Sequence, residues 1–435
     1  MILRNFTSLS NQAICSVFVK QAHKVTFNVL RNWVLKVNLH NAPLDCLPKT
    51  QNYSHYFIED GLRYVYPYQY EFSNFCKQRW MGRRLIDIYS EEFPLYPVEE
   101  YLRRISTGMV KINGKSMGAD YVLKSNDHIS SIIHRHELAV LAMPIRILFE
   151  DDEFLVVNKP PSIPVHPCGL FNRNTVTNIL SYERKYRDLF LIHRIDRLTS
   201  GVLIMAKTKD MSRKLHEQIN TRNVKKVYLC RVEGNFPDKQ ITCSVPIKKY
   251  RRKINVSLVH PHGKKSVTEF QKISYNGKSS VVLCKPFTGR THQIRVHLQY
   301  LGHPILNDPL YNNEAFGATK GKHGIINKTI DELLSDLHKV IVCDLWDNNI
   351  VSGPNEIDKF LINKTDSHLD YELESAYAKN LSAFTFDKHC YFCSNNIECK
   401  QTHFGMFLHA WKYQGEDWEF KTDIPTWASK NFSAV

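Results

Sequence analysis

Between residues 145 and 311 the chain switches repeatedly between two hydrophobic spacings. Short apolar runs, Ile147–Phe149, Phe154–Val157, Val202–Ala206 and Val227–Val232, are too brief for helices and suit buried strands. Between the last two, residues 209–220 carry apolar side chains at helical intervals on a polar background. A chain patterned this way folds as α+β, with strands and helices sharing one core. Coiled-coil, collagen-like and wholly disordered readings are excluded. No run approaches the roughly 18 apolar residues that a bilayer span requires. The best candidate, Leu138–Phe149, is broken by Pro144 and Arg146.

Charge narrows the class of partner. A net charge of +15 on 435 residues predicts an anionic surface to bind, nucleic acid or membrane. The bland alternative is a basic protein with no such partner. Eleven cysteines, an odd number and mostly scattered, suit a reducing compartment rather than a disulfide framework. Calcium loops, G-x-x-x-x-G-K-S/T loops and H-E-x-x-H are absent, which removes P-loop NTPases and zincins. Base deaminases pair H-x-E with P-C-x-x-C, also missing here. A glycosidase needs a second catalytic carboxylate, and no motif supplies one.

The chain divides into six stretches. Residues 1–44 lack Asp and Glu and carry Arg4, Lys20, Lys24, Arg31 and Lys36, with Phe27, Leu30 and Val34 at helical spacing. Such a leader resembles a mitochondrial transit peptide, the alternative being a disordered amino terminus. The expected compartment is therefore mitochondrial, or cytoplasmic and nuclear. Residues 45–80 are aromatic-rich, and Tyr64, Tyr66, Tyr68 and Tyr70 alternate as on one strand with a single aromatic face. Residues 81–137 read as a small α/β unit. Two helices, marked by Leu85, Ile86, Tyr89 and Phe93 and then Val98, Tyr101, Leu102 and Ile105, precede Val110–Ile112 and the turn Asn113-Gly114. Leu123–Ile129 follows as a further turn and strand. This order resembles the S4 RNA-binding fold, and Arg83, Arg84, Arg103, Arg104 and Lys111 would meet phosphates. Residues 145–311 form the α+β domain. Residues 312–380 are rich in Asn, Asp and Lys and read as an insertion or disordered loop. Residues 381–435 form an aromatic, cysteine-containing tail expected to complete the catalytic domain.

The densest chemical signal is His193-Arg194-Ile195-Asp196-Arg197-Leu198-Thr199-Ser200-Gly201. Asp196 lies between the apolar stretch Leu189–Ile192 and the strand Val202–Ala206, which predicts partial burial. A buried carboxylate requires a partner. The run Lys285–Leu298 offers Arg290 and Arg295, either able to grip a carboxylate. Lys225-Lys226-Val227-Tyr228 sets a tyrosine on a strand beside lysines, where it could stack on a base or fill a core.

Together these residues resemble the RluA-type pseudouridine synthases over roughly residues 82–311. The resemblance rests on Asn158–Pro167, the His193–Gly201 loop, Lys226-Val227-Tyr228, Gly289–His297, Leu301–Ile305 and Asp308-Pro309-Leu310-Tyr311, in that order. One departure stands out: Ser162 occupies a position where the family usually has Gly. The fuller loop through Arg197-Leu198 resembles the eukaryotic subgroup that modifies tRNA position 32. So do Gly61–Tyr68, Ile133-His134-Arg135-His136-Glu137, and the tail from Phe407 through Trp418 to Ala428.

The resemblance implies a mixed, largely antiparallel sheet with flanking helices, preceded by the S4-like unit. It implies isomerisation of uridine to pseudouridine in RNA, tRNA in particular, by a monomer needing no cofactor, metal or membrane. Asp196 corresponds to the family's catalytic aspartate, Tyr228 to its stacking tyrosine and Arg295 to the arginine paired with the aspartate. Arg194 would help displace the flipped base. Lys226, Arg290, His292 and Gln293, with Arg83, Arg84 and Lys111, are the expected RNA contacts. The same chemistry on ribosomal or messenger RNA, and a non-catalytic RNA-binding role, are the alternatives. A separate feature, Cys390, Cys393, Cys399 and His403, has a spacing that could hold a structural zinc, weighed against reduced cysteines in a packed tail.

Overall fold

The computed structural model describes residues 56–93, 95–251, 255–346, 387–395 and 403–432. The leader, the start of the aromatic stretch, all of 347–380 and Cys399 lie outside them. No described helix is long and apolar enough to cross a membrane.

Strand β1 (Tyr56–Glu59) pairs with β2 (Leu62–Val65), and β2 with β6 (Val140–Leu141), in a small sheet. Strand β3 (Tyr68–Phe75) pairs with β5 (His128–Arg135), which also holds β4 (Val110–Ile112). The alternating tyrosines therefore do not share one strand. Pro67 separates β2 from β3, and the two strands join different sheets. A proline offers no N–H to continue a ladder. Helices α1 (Leu85–Glu92) and α2 (Val98–Ser106) close the second sheet. Their Leu85, Ile88, Tyr101 and Ile105 pack with Trp80, Val110, Ile112 and Ile129 in one core. The Asn113-Gly114 turn has positive φ at both residues, 51° and 78°, as a tight two-residue turn requires. Beyond an isolated bridge from Ile112 to Lys115, β4 takes β5 as its partner rather than the segment that follows the turn.

The central sheet has the order β12-β15-β16-β11-β17-β10-β8-β7. In chain order these are β7 (Arg146–Glu150), β8 (Phe154–Lys159), β10 (Ser200–Ala206), β11 (Lys225–Glu233), β12 (Ile241–Cys243), β15 (Thr268–Tyr275), β16 (Ser279–Pro286) and β17 (Leu408–Gln414). Two short strands flank it: β9 (Phe190–Leu191) on β10, and β18 (Glu419–Lys421) on β17. A separate hairpin joins β13 (Ile247–Arg251) to β14 (Asn255–Val259). Among the described residues β10 and β17 run parallel, and the other pairings of this sheet are antiparallel. The sheet is thus mixed and largely antiparallel, as expected of the fold.

Two cores meet along β17. One packs Val202–Ala206 and Leu155–Val157 against helices α3 (Val176–Arg184) and α4 (Lys209–Asn220). Thr208 caps α4 by accepting from the Met211 amide at 3.2 Å. The other packs β11, β15 and β16 against Ile294 and Leu298 of α5 (Gln293–Tyr300). Burying each large aliphatic side chain contributes about 1.5–3 kcal/mol. β17 places Ala410 and Tyr413 in the first core and Leu408 in the second. Strand β17 therefore fastens two half-sheets into one.

The stretch from 312 is corrected in part. Residues 330–346 are not a loop: they form α6 (Ile330–Trp346), whose Leu333, Leu334 and Leu337 are buried with Phe316, Val256 and Val296. The surrounding Asn, Asp and Lys residues masked an apolar stripe spaced at one helical turn.

Candidate active site

Asp196 lies in the loop between β9 and β10, and the loop is tied down on several sides. The Thr199 amide donates to the Asp196 carbonyl at 3.0 Å, closing a turn. The ammonium of Lys159, fully buried, donates to the carbonyls of Pro160, Ile163 and Arg197 at 2.6, 2.8 and 3.0 Å. Burial drives that amine well below its ordinary pKa, yet the three carbonyls match its three N–H bonds. From the other side, the Met406 amide donates to the Leu198 carbonyl at 3.2 Å. Gly201 then enters β10 with φ of 112°. A Cβ there would strike the Ala410 backbone, lying 2.7 Å from its nitrogen. The Thr-Ser-Gly ending is thus what lets β17 lie beside the aspartate loop.

Ser162 answers the one departure from the family pattern. It keeps the positive φ, 75°, that a glycine would adopt freely. Its buried hydroxyl accepts from the Leu141 amide at 3.1 Å, which offsets part of the strain.

Arg295 projects from α5 onto Asp196. Its Nη1 donates to Asp196 Oδ2 at 3.0 Å, while Nε and Nη2 grip Asp308 Oδ2 and Oδ1 at 2.7 and 2.8 Å. Asp308 is fully buried, and its Oδ1 also accepts from the Leu310 and Tyr311 amides at 2.9 and 3.0 Å. The guanidinium also lies over the Tyr311 ring, 4.9 Å from its centre. The arginine is thereby aimed by a buried carboxylate before it meets Asp196. Asp196 itself remains 26% exposed, so the chain of charges opens on solvent at one carboxylate.

Burial alone would raise the Asp196 pKa. His292, Arg295 and Arg194 outweigh it and hold the carboxyl below its usual range. Of these the arginines are the permanent cations. His292 has its Nε2 3.7 Å from Asp196 Oδ2, but burial pushes its own pKa down to about 4. At neutral pH it is an uncharged neighbour, held through Nδ1 by the Tyr311 hydroxyl at 2.9 Å.

Tyr228 stands on β11 at the seam of the two cores and packs against both. Its hydroxyl bonds that of Tyr413 on β17. Burial raises its pKa to about 12, so it carries its proton at neutral pH. Asp196 is close enough to contribute to that rise. Lys226, its amine lowered by burial, lies 5.9 Å from the centre of the Tyr413 ring.

The other predicted residues divide. Arg194 is exposed beside Asp196, and Arg290 is half-buried with its Nε on the Lys265 carbonyl at 3.1 Å. Gln293 faces inward: its amide nitrogen donates to the Val267 carbonyl and the Thr268 hydroxyl, and its oxygen accepts from the Arg290 amide and the Thr288 hydroxyl. Its side chain shapes the Gly289–His292 turn. In the amino-terminal unit Lys111 is exposed. Arg83 meets Glu91 at 2.7 Å, and Arg84 meets Asp87 and Asp120 at 2.8 and 3.2 Å. Arg104 is corrected as a phosphate contact. It is buried and donates to the Ile132 carbonyl, on the inward face of α2. Arg103 is held by Glu100 at 2.7 Å.

Asp308 and Tyr311 were visible in the sequence only as parts of a motif, with no role attached. Tyr413 carried no signal, since it lies 185 residues from Tyr228. Of the four residues spaced for zinc, Cys399 lies outside the described residues. Cys390 and Cys393 meet His134 and His136, not His403, whose carbonyl instead accepts from Arg197 at 3.1 Å. Local spacing could not foresee partners from a distant strand.

An ionised aspartate aimed by a buried arginine, beside a protonated tyrosine, is what the mixed sheet places at its centre. Residues 153–300 match the family model described as RNA pseudouridylate synthase. The chain belongs to this family and is an isomerase. It is 43% identical over 409 residues to pseudouridylate synthase RPUSD2 of Mus musculus, covering 86% of this chain and 72% of that protein. It is 34% identical over 387 residues to the mitochondrial tRNA pseudouridine(32) synthase of Saccharomyces cerevisiae, covering 85% and 78%. The tRNA pseudouridine(31) synthase of the same yeast is 30% identical over 419 residues, covering 86% and 96%.

Proposed function

We propose that the chain converts a uridine of the tRNA anticodon loop, at position 32, to pseudouridine, with Asp196 as the catalytic carboxylate. The observation that carries the chemistry is the Asp308–Arg295–Asp196 chain, which ends in a partly exposed, ionised oxygen. The reaction breaks the N1–C1′ bond, turns the base and joins C5 to C1′, with C5 losing its proton and N1 gaining one. No electrons are exchanged and no second substrate enters. The carboxylate either attacks C1′ or removes the C2′ proton to give a glycal, and both routes need it charged at neutral pH. Arg295 keeps it so and fixes its direction. Tyr228 offers a ring for the base to stack on and a hydroxyl that is protonated at neutral pH.

The uridine must leave its stack, at a cost of a few kcal/mol. The net charge of +15 and the exposed Arg194 supply phosphate attraction that offsets this. The α1–α2 unit with its three-stranded sheet acts as an S4-like RNA-binding domain in this reading, with Lys111 on its open surface. The yeast position-32 relative supports the choice of position, and the position-31 relative supports tRNA as the substrate.

Purified protein and its Asp196→Asn form, incubated with unmodified tRNA transcripts, test the proposal by carbodiimide labelling and primer extension. The expected result is a stop at position 32 with the parent alone. A stop only in ribosomal or messenger fragments overturns the substrate. Equal stops with both proteins overturn the role of Asp196. Salt-sensitive RNA binding without any stop favours a non-catalytic binding role.

A further inference from the structure

A second group of chemically able side chains lies on the amino-terminal unit. His134 lies on β5 and His136 one residue past its end, two residues apart along the chain with their side chains in contact. Their rings are 5.0 Å apart and nearly perpendicular. Over 250 residues later the chain returns to this face. The short turn α7 (Tyr391–Ser394) is preceded by Cys390 and contains Cys393, so one C-x-x-C turn brings both thiols to the histidines.

The distances have a definite shape. His134 Nδ1 and His136 Nε2 are 3.2 Å apart. Cys390 Sγ lies 3.4 Å from His136 Nε2, and Cys393 Sγ lies 3.4 Å from both histidine nitrogens. All four atoms fall within 4.8 Å of one another. A tetrahedral zinc with bonds of about 2.3 Å to sulfur and 2.05 Å to nitrogen has N–N edges of about 3.4 Å and S–N edges of about 3.6 Å. The observed edges are those of such a tetrahedron, slightly contracted. Two thiolates and two imidazoles form a soft donor set without the oxygens that calcium or magnesium demand. Two thiolate charges also neutralise a divalent cation, which suits the burial of His134 and Cys390.

We infer that His134, His136, Cys390 and Cys393 bind one structural zinc ion that clasps the returning tail to β5. Binding replaces the two thiol protons, which leave to solvent, and involves no redox change. Four protein ligands leave no open position, so the ion has no catalytic role. The clasp has supports of its own. Phe392 is buried between Tyr96 and His136. Arg103 donates to the His389 carbonyl at 2.8 Å, and Gln69 to Asp387 Oδ2 at 3.1 Å. The clasped segment precedes β17, the strand that joins the two half-sheets beside Asp196. The ion would thus fix the point from which the chain enters the centre of the fold.

The test is elemental analysis of the full chain, purified under reducing conditions without a metal-affinity step. About one zinc per chain is expected. Cys390→Ser, Cys393→Ser, His134→Ala and His136→Ala should each lower it at least about tenfold. Cys399→Ser and His403→Ala should leave it unchanged. Since a ligand variant could misfold, cobalt(II) is also exchanged into the parent protein. The intense visible bands of tetrahedral cobalt, with thiolate-to-metal charge transfer, are expected there and in the Cys399→Ser form. Folded parent protein that holds no zinc and takes up no cobalt overturns the site. So does a Cys390–Cys393 disulfide in the freshly purified chain, or zinc lost in Cys399→Ser or His403→Ala as fully as in the ligand variants.

Discussion

Asp308→Asn isolates the part of the site that no substrate touches. Asp308 binds the buried Arg295 through two nitrogens, whereas Asp196 binds it through one. An asparagine keeps the shape. Its oxygen can still accept at the crowded Oδ1 position, from Nη2 and the Leu310 and Tyr311 amides. Its NH2 group then faces the Arg295 Nε–H across the former 2.7 Å bond, donor against donor. A charge-assisted bond worth about 1.5–3 kcal/mol is lost, and a buried cation keeps one carboxylate instead of two. The combined loss should be about 3 kcal/mol, near the lower end for breaking a buried pair. At about 2–4 °C per kcal/mol, melting should fall by about 6–12 °C. The released guanidinium also leaves Asp196 less well aimed, and a misplacement of about 1 Å can cost about a hundredfold in rate. Urea denaturation and single-turnover pseudouridine formation measure the two effects. Stability within about 0.5 kcal/mol of the parent, with an unchanged rate, would refute the aiming role of Asp308.

Three further outcomes follow from the same geometry. Burial lowers the pKa of His292, His297 and His409 to about 4 and of His193 to about 3, below the unfolded value of about 6.5. The unfolded chain therefore binds more protons between those limits, and stability is present above about pH 6.5 and falls as pH drops toward 4. Denaturant midpoints at pH 7.5 and 5.5 should show a loss of at least about 1.4 kcal/mol per pH unit, and a flat profile would contradict the buried, neutral histidines. Gly201→Ala drives a Cβ into the Ala410 backbone, so β10 and β17 must separate. A cost above about 2 kcal/mol is expected in thermal melts, with lost activity, and a parent-like melt would mean β17 can move aside. Tyr228→Ala should slow single-turnover isomerisation by about 10- to 100-fold, the worth of one stacked base, while Tyr228→Phe keeps most of that rate. Equal losses in the two variants would show that the hydroxyl, not the ring, carries the role.

Much of the chain was legible one residue at a time. The helix at 209–220, the strands of Val202–Ala206 and Val227–Val232, and the paired helices before Val110 obey local spacing, because backbone period and apolar burial act over a few residues. Chemistry anticipated a cation for the buried carboxylate but left Arg290 and Arg295 equally open; the choice of Arg295, which the ion pair bears out, came from the family resemblance. Composition misled where polar residues surround a narrow apolar stripe, as around Leu333 and Leu337 in α6. Proline misled where it split a run that alternates evenly, as at Pro67.

The remaining features depend on chain segments meeting across long separations. No local pattern shows that Leu408–Gln414 enters the sheet between β11 and β10, or that Tyr413 reaches Tyr228. Nor does any pattern show that Cys390 and Cys393 turn to a strand that ended at Arg135. Sequence alone determined the class of fold, the basic character and the motif that holds Asp196, since these depend on side-chain chemistry and short-range period. Tertiary structure alone decided which distant groups complete each site, because three-dimensional closure, not spacing along the chain, sets their distances.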